Sequence, residues 1–167
     1  MTEVIAVKKA LCAVMALLLL GTAALAGPPK LSGSLFDSAK QALVCLAAGD
    51  YEGLAGSLPF SGDAPDASDW KRLAKKFADL GSVQTDYAVA FWTNKIWVVA
   101  VPVQPPSDGS VEALAFSSED GASFNAYRYA TWSQVEKAYC DSNRVVWDQE
   151  YVGGSATVVA DQGNSGE

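Results

Sequence analysis

The run DYAVAFWTNKIWVVAVPV, residues 86–103, decides how the rest of the chain is read. Two segments dense in Val and aromatic residues meet at Asn94 and Lys95, the pattern of an antiparallel hairpin with a two-residue loop. Such a loop sets Thr93 opposite Ile96, Trp92 opposite Trp97 and Phe91 opposite Val98. One face then carries Ala88, Ala90, Trp92, Trp97, Val99 and Val101, and the other Tyr87, Val89, Phe91, Val98 and Ala100. A sheet with one bare face alternates apolar with polar residues, whereas this hairpin is apolar on both. Both faces therefore need cover, from helices, a partner chain or a ligand.

Upstream of the hairpin the spacing predicts three helices. Ser34 can cap the first, in which Leu35, Ala39, Ala42, Leu43 and Leu46 lie on one side before Gly49 stops it. Asp50 is a suitable N-cap for a short second helix through Tyr51 and Leu54, which Pro59 brings to an end. The segment 61–68 is loop by composition. Its Asp63 and Asp66, with Asp69, lack the alternate ligands and closing Glu of a calcium loop and read as helix caps. In the third helix Trp70, Leu73, Phe77 and Leu80 recur every three or four residues, with Gly81 as the stop. Lys71, Arg72, Lys75 and Lys76 occupy its other side, a solvated face balancing nearby carboxylates.

Downstream, Pro102, Pro105 and Pro106 end the second strand and lead into a turn at Ser107–Gly109. Strands are expected over Val111–Ser117 and Ser123–Tyr129, on either side of the turn pair Asp120-Gly121. Thr131 with Gln134, or Ser133 with Glu136, fits a capping box that opens a short helix through Cys140. Asn143–Glu150 reads as a fifth, edge strand. The fold class is thus α+β: N-terminal helices packed on a four- to five-stranded antiparallel sheet, with a short C-terminal helix.

At the N-terminus, Lys8 and Lys9 precede an apolar run that ends in Ala24-Leu25-Ala26, the pattern of a cleaved secretory signal over residues 1–26. Residues 27–150 are then expected to form a single secreted domain, and 151–167 a disordered acidic tail. Cleavage leaves 141 of the 167 residues and takes the net charge from −7 to −8. An acidic chain without a basic tract is repelled by phosphate polyanions, which argues against nucleic acid, and once the signal is gone no membrane association is expected. Cys45 and Cys140 remain, 95 positions apart, in a chain bound for an oxidising compartment. They are expected to form a disulfide worth about 4 to 5 kcal/mol in loop-closure entropy, pinning the first and last helices to the same side of the sheet.

The chain has no histidine, which excludes Ser-His nucleophile systems and most zinc sites together. No metal or cofactor is expected. Asp86, on a strand that otherwise excludes charge, would have a raised pKa and act as a proton acceptor if it were buried in an apolar cavity. Arg128 between Tyr127 and Tyr129 suits an anionic or hydroxylated ligand, with a cross-strand ion pair as the alternative. Trp92 facing Trp97 suits a carbohydrate or peptide platform, with core packing as the alternative. The candidate ligand-binding set is Tyr87, Phe91, Trp92, Trp97, Tyr127 and Arg128, and no catalytic residue is assigned.

In order of elements, Ser34–Tyr129 resembles the cystatin-like fold of nuclear-transport-factor-type proteins and ketosteroid isomerases. LAAGDYEGLAGSLPF, residues 46–60, is similar to the first helix-to-helix junction of small secreted members. The resemblance implies a curved sheet and helices enclosing a pocket. The helix to Cys140 and the strand after it depart from that pattern, and no catalytic residue transfers. The expected function is a secreted, non-catalytic binding or assembly domain that uses its aromatic-rich sheet for another protein or a small apolar ligand. The alternatives are an isomerase- or dehydratase-like enzyme with Asp86 as base and a tyrosine as acid, or a surface-structure or secretion-accessory subunit.

Overall fold

The hairpin forms in the expected register, Thr93 against Ile96, Trp92 against Trp97 and Phe91 against Val98. Asn94 and Lys95 have φ of 49° and 65°, the left-handed conformation whose twist matches that of the flanking strands. The computed structural model describes residues 27–80, 83, 87–103, 110–149 and 157–158. The expected signal, Gly81, Asp86, the turn at Ser107–Gly109 and the acidic tail apart from Thr157–Val158 lie outside them.

The hairpin strands β1 (Tyr87–Thr93) and β2 (Ile96–Val103) are joined by β3 (Glu112–Ser118), β4 (Ala126–Thr131), β5 (Arg144–Gln149) and the two-residue β6 (Thr157–Val158). Their order across the sheet is β4-β3-β2-β1-β5-β6, and every neighbouring pair is antiparallel. Helices α1 (Ser34–Ala48), α2 (Tyr51–Leu54) and α3 (Ala67–Ala74) precede the sheet, and α4 (Trp132–Cys140) joins β4 to β5. The α+β class with an antiparallel sheet and a short C-terminal helix is therefore as the sequence predicts. The expected edge strand, β5, instead lies beside β1 and carries β6 on its other side. The chain crosses from one margin of the sheet toward the other between β4 and β5, and α4 makes that crossing.

The two apolar faces of the hairpin belong to two separate cores. Ala88, Ala90, Trp97, Val99, Val101, Leu114 and Phe116 pack with Leu35, Leu43, Leu46, Leu54, Trp70 and Leu73 from α1 to α3 on the first face. Val89, Phe91, Val98, Ala100, Ala113, Ala115 and Ala130 pack with Val135 of α4 on the second. The chain's own helices thus cover both faces.

This arrangement overturns the expected disulfide. Cys45 lies near the end of α1 on the first face and Cys140 ends α4 over the second, so the sheet stands between them. Both are free thiols, Cys45 half-buried and Cys140 exposed. A bridge needs Cα atoms within about 7 Å, closer than two helices on opposite faces of a sheet can approach.

Local capping explains most helix ends. Asp50 accepts from Gly53 N (2.9 Å), as expected of an N-cap. Asp66 accepts from Asp69 N (2.9 Å) while Asp69 accepts from Asp66 N (3.3 Å), a reciprocal capping box that accounts for two of the loop aspartates. Gln134 Oε1 accepts from Thr131 N (3.1 Å) at the start of α4. Ser34 is the first residue of α1 rather than its cap, which falls at Gly33. The third helix is shorter than its periodicity predicts and ends at Ala74. Its last turn tightens into bonds from Lys76 N to Leu73 O and Phe77 N to Ala74 O, and Glu112 Oε2 then takes Ala78 N (3.0 Å). Phe77 stays buried, so the periodicity marks packing beyond the helix itself.

Two further contacts fix the first face. Lys40 of α1 is 4% exposed, and its Nζ donates to Asp148 of β5 at 2.7 Å. An amine buried without a counter-charge would cost several kcal/mol, so this pair ties β5 to its place beside β1. Trp97 Nε1 donates to Pro29 O (2.8 Å), holding the extended lead against the sheet.

Candidate functional site

A helix laid across a sheet leaves corners uncovered. The start of α4 follows the end of β4 and its end precedes the start of β5, so it runs diagonally over the second face. Between it and the sheet, Trp132 and Tyr139 of α4 form a fan of contacting rings with Tyr87, Phe91 and Trp147, Tyr139 and Trp147 having centroids 5.4 Å apart and Tyr87 and Trp132 5.9 Å. The corner bounded by the hairpin turn, β3 and the first half of β4 has, among the described residues, no helix above it. It holds a trough of about 270 Å³ lined by Thr93, Asn94, Ile96, Val98, Ala115, Phe116, Ser117, Ala126, Tyr127 and Arg128.

Strand alternation supplies this lining. Ile96 and Val98 of β2, Ala115 and Ser117 of β3, and Ala126 and Arg128 of β4 all project from the second face, because they alternate with Trp97, Phe116 and Tyr127 of the first core. The floor is apolar: Val98 and Ala115 are buried and Ile96 is half-buried. Thr93, Asn94 and Ser117 provide polar groups at the rim, and Arg128 is exposed at the β4 side. Its cross-strand neighbour is Ala115 rather than a carboxylate. Among the described residues Arg128 makes no hydrogen bond and no ion pair. The cross-strand pair that the sequence allows is thus not made there.

The six candidate residues are divided between the faces. Trp92, Trp97 and Tyr127 lie on the first, and Tyr87, Phe91 and Arg128 on the second. Trp97 is 1% exposed, and Trp92 meets it edge-on at 5.4 Å, so the pair is core rather than platform. Phe91 is buried under α4 against Tyr139. Tyr127 lies against Trp70 at 4.5 Å, and its phenol pKa is raised by burial and by the nearby Asp69 carboxylate. Tyr129 packs edge-on against Phe77 at 5.2 Å and donates its hydroxyl to Glu112 Oε1 at 2.9 Å. Burial raises its pKa, and the bond to Glu112 adds to the shift. The tyrosines that flank Arg128 in sequence therefore face away from it.

A larger cleft of about 470 Å³ opens between the end of α1, α2 and the end of α3, with Lys71 and Lys75 on its wall. It is wide open to solvent. The wall given by α1 is the helix C-terminus, Leu46 to Gly49, whose dipole opposes an anion. Arg72 of the same basic side pairs with Asp69. The trough is the better-formed site, since its walls are strands and it is less open to solvent. Among the described residues no three metal-ligating side chains converge, and no helix is long and apolar enough to cross a membrane.

No protein-family model matches the chain, and comparison with curated proteins and with solved structures likewise gives no match.

Proposed function

We propose that the chain is an exported, non-catalytic binding domain that takes an apolar group bearing a carboxylate into the trough beside Arg128. The observation that carries this reading is a guanidinium without a partner among the described residues, set at the rim of an apolar floor in a chain of net charge −7. A planar guanidinium pairs with a carboxylate through two parallel bonds, and the apolar floor favours burial of the attached chain. At about 270 Å³ the trough is smaller than the roughly 300–1,000 Å³ of drug-sized sites, which suits one apolar side chain or a short acyl chain. On this reading the likeness to nuclear-transport-factor-type domains is one of element order.

The isomerase-like alternative has less support. The tyrosines it would use as acids are engaged on the first face, Tyr127 with Trp70 and Tyr129 with Glu112. The proposal is tested by calorimetric titration of the full chain with octanoate and with octanol. Octanoate is expected to bind about fivefold more tightly, the difference a partly exposed ion pair supplies, and Arg128→Ala to remove that preference. Equal binding of the two by both proteins would refute the reading. Export is checked separately, by recovering the chain outside the cell with Gly27 as its first residue.

A further inference from the structure

We infer that the trough and the open edge of β4 form one site, at which an extended peptide carrying a carboxylate adds to the sheet as a further strand opposite Arg128. The inference rests on the trough reading above and names the kind of molecule that presents the carboxylate.

Among the described strands β4 ends the sheet on one side. Its register sets Ala126 opposite Ser117, Arg128 opposite Ala115 and Ala130 opposite Ala113, and Trp132 N donates to Val111 O (2.8 Å) in continuation of that ladder. Hydrogen bonding alternates along an antiparallel pair, so the backbone groups of Ala126, Arg128 and Ala130 face β3. Those of Tyr127 and Tyr129 face outward. Among the described residues no backbone group pairs with them.

The open frame is bounded at both ends. Before it, Phe124 N donates to Pro59 O (2.6 Å) and Phe124 O accepts from Ser61 N (2.8 Å), which closes the edge there. After it, Thr131 N is taken by Gln134 Oε1. An added strand therefore has one register, in which two of its residues exchange bonds with Tyr127 and Tyr129 and the residue between them stands opposite Arg128.

That register selects the partner. Two copies of β4 meeting antiparallel about a two-fold axis would set Arg128 against Arg128, and like charges directly opposed destabilise a sheet. A carboxylate at that place is attracted instead. Side chains two positions apart share a face, so a residue two places from the acid lies beside Ala126 at the mouth of the trough. The recognised segment is thus an extended one with an acidic residue and an apolar residue two positions away, held by main-chain bonds and sorted by side chains.

The test uses the full chain and dye-labelled, end-blocked peptides TTETVTT and TTKTVTT, followed by fluorescence anisotropy at low ionic strength. The acidic peptide is expected to bind about tenfold more tightly than the basic one, and Arg128→Glu, an exposed position, to reverse the order. N-methylation of the two threonines flanking the glutamate removes the ladder bonds and is expected to weaken binding at least about tenfold. Undiminished binding of the methylated peptide, or an order indifferent to Arg128→Glu, would overturn strand addition. So would octanoate binding without peptide binding, which leaves the trough reading standing alone. A concentration-dependent dimer abolished by Arg128→Glu would also overturn it, by assigning the edge to a second copy.

Discussion

Glu112 is a carboxylate 6% exposed that holds together two elements far apart in the chain. Its Oε2 accepts from Ala78 N and its Oε1 from Tyr129 Oη, so Glu112→Ala leaves two donors without their partner. The expected loss is about 2 to 4 kcal/mol, read as a lower urea midpoint at unchanged slope, with Glu112→Gln losing less because an acceptor remains. The same bond gives a pH dependence. Tyr129 has its pKa raised in the folded state, as do Tyr127 and Tyr139, each mainly by burial. A raised folded value means that the native protein keeps a proton the unfolded chain gives up near pH 10, so stability is full below that pH and falls above it. Urea midpoints are expected to be level up to about pH 9 and to decline beyond pH 10, and Tyr129→Phe to show a shallower decline. An unchanged decline in that variant would contradict the assignment. Neither the role of Glu112 nor that of Lys40 was legible in the sequence. Each is a lone charge beside apolar residues, and the partner that makes its burial tolerable comes from a distant element.

The elements themselves were legible where their signals are local. The Asn94-Lys95 loop fixed the hairpin register, Asp50 and Asp66 opened helices, and Thr131 with Gln134 opened α4. The end of α3 was not legible, because Phe77 and Leu80 keep helical spacing while packing from beyond the helix. The largest difference concerns α4, which lies on the face opposite α1 and so keeps Cys140 away from Cys45. Cys45→Ala with Cys140→Ser is therefore expected to leave stability within about 1 kcal/mol of the parent under oxidising conditions. A bridge closing the same loop would make the pair of substitutions cost about 4 to 5 kcal/mol, a difference that urea denaturation resolves.

At the scale of the whole molecule, the sequence posed a question and the topology answers it. A hairpin apolar on both sides needs two covers, and the path from β4 across to β5 supplies the second in the form of α4. That path depends on long-range pairing between β1 and β5, which no local pattern encodes. The same diagonal leaves the trough, so the site follows from where α4 does not reach. Arg128 was legible as a candidate, whereas its flanking tyrosines point to the other core because adjacent strand residues alternate. The most direct test is a titration of the isotope-labelled full chain with octanoate, followed by backbone amide shifts. Thr93, Ile96, Ala115, Ser117, Ala126 and Arg128 are expected to move together while Tyr51, Lys71 and Phe77 stay still. Movement confined to the second group, or none in the first at saturating ligand, would contradict it.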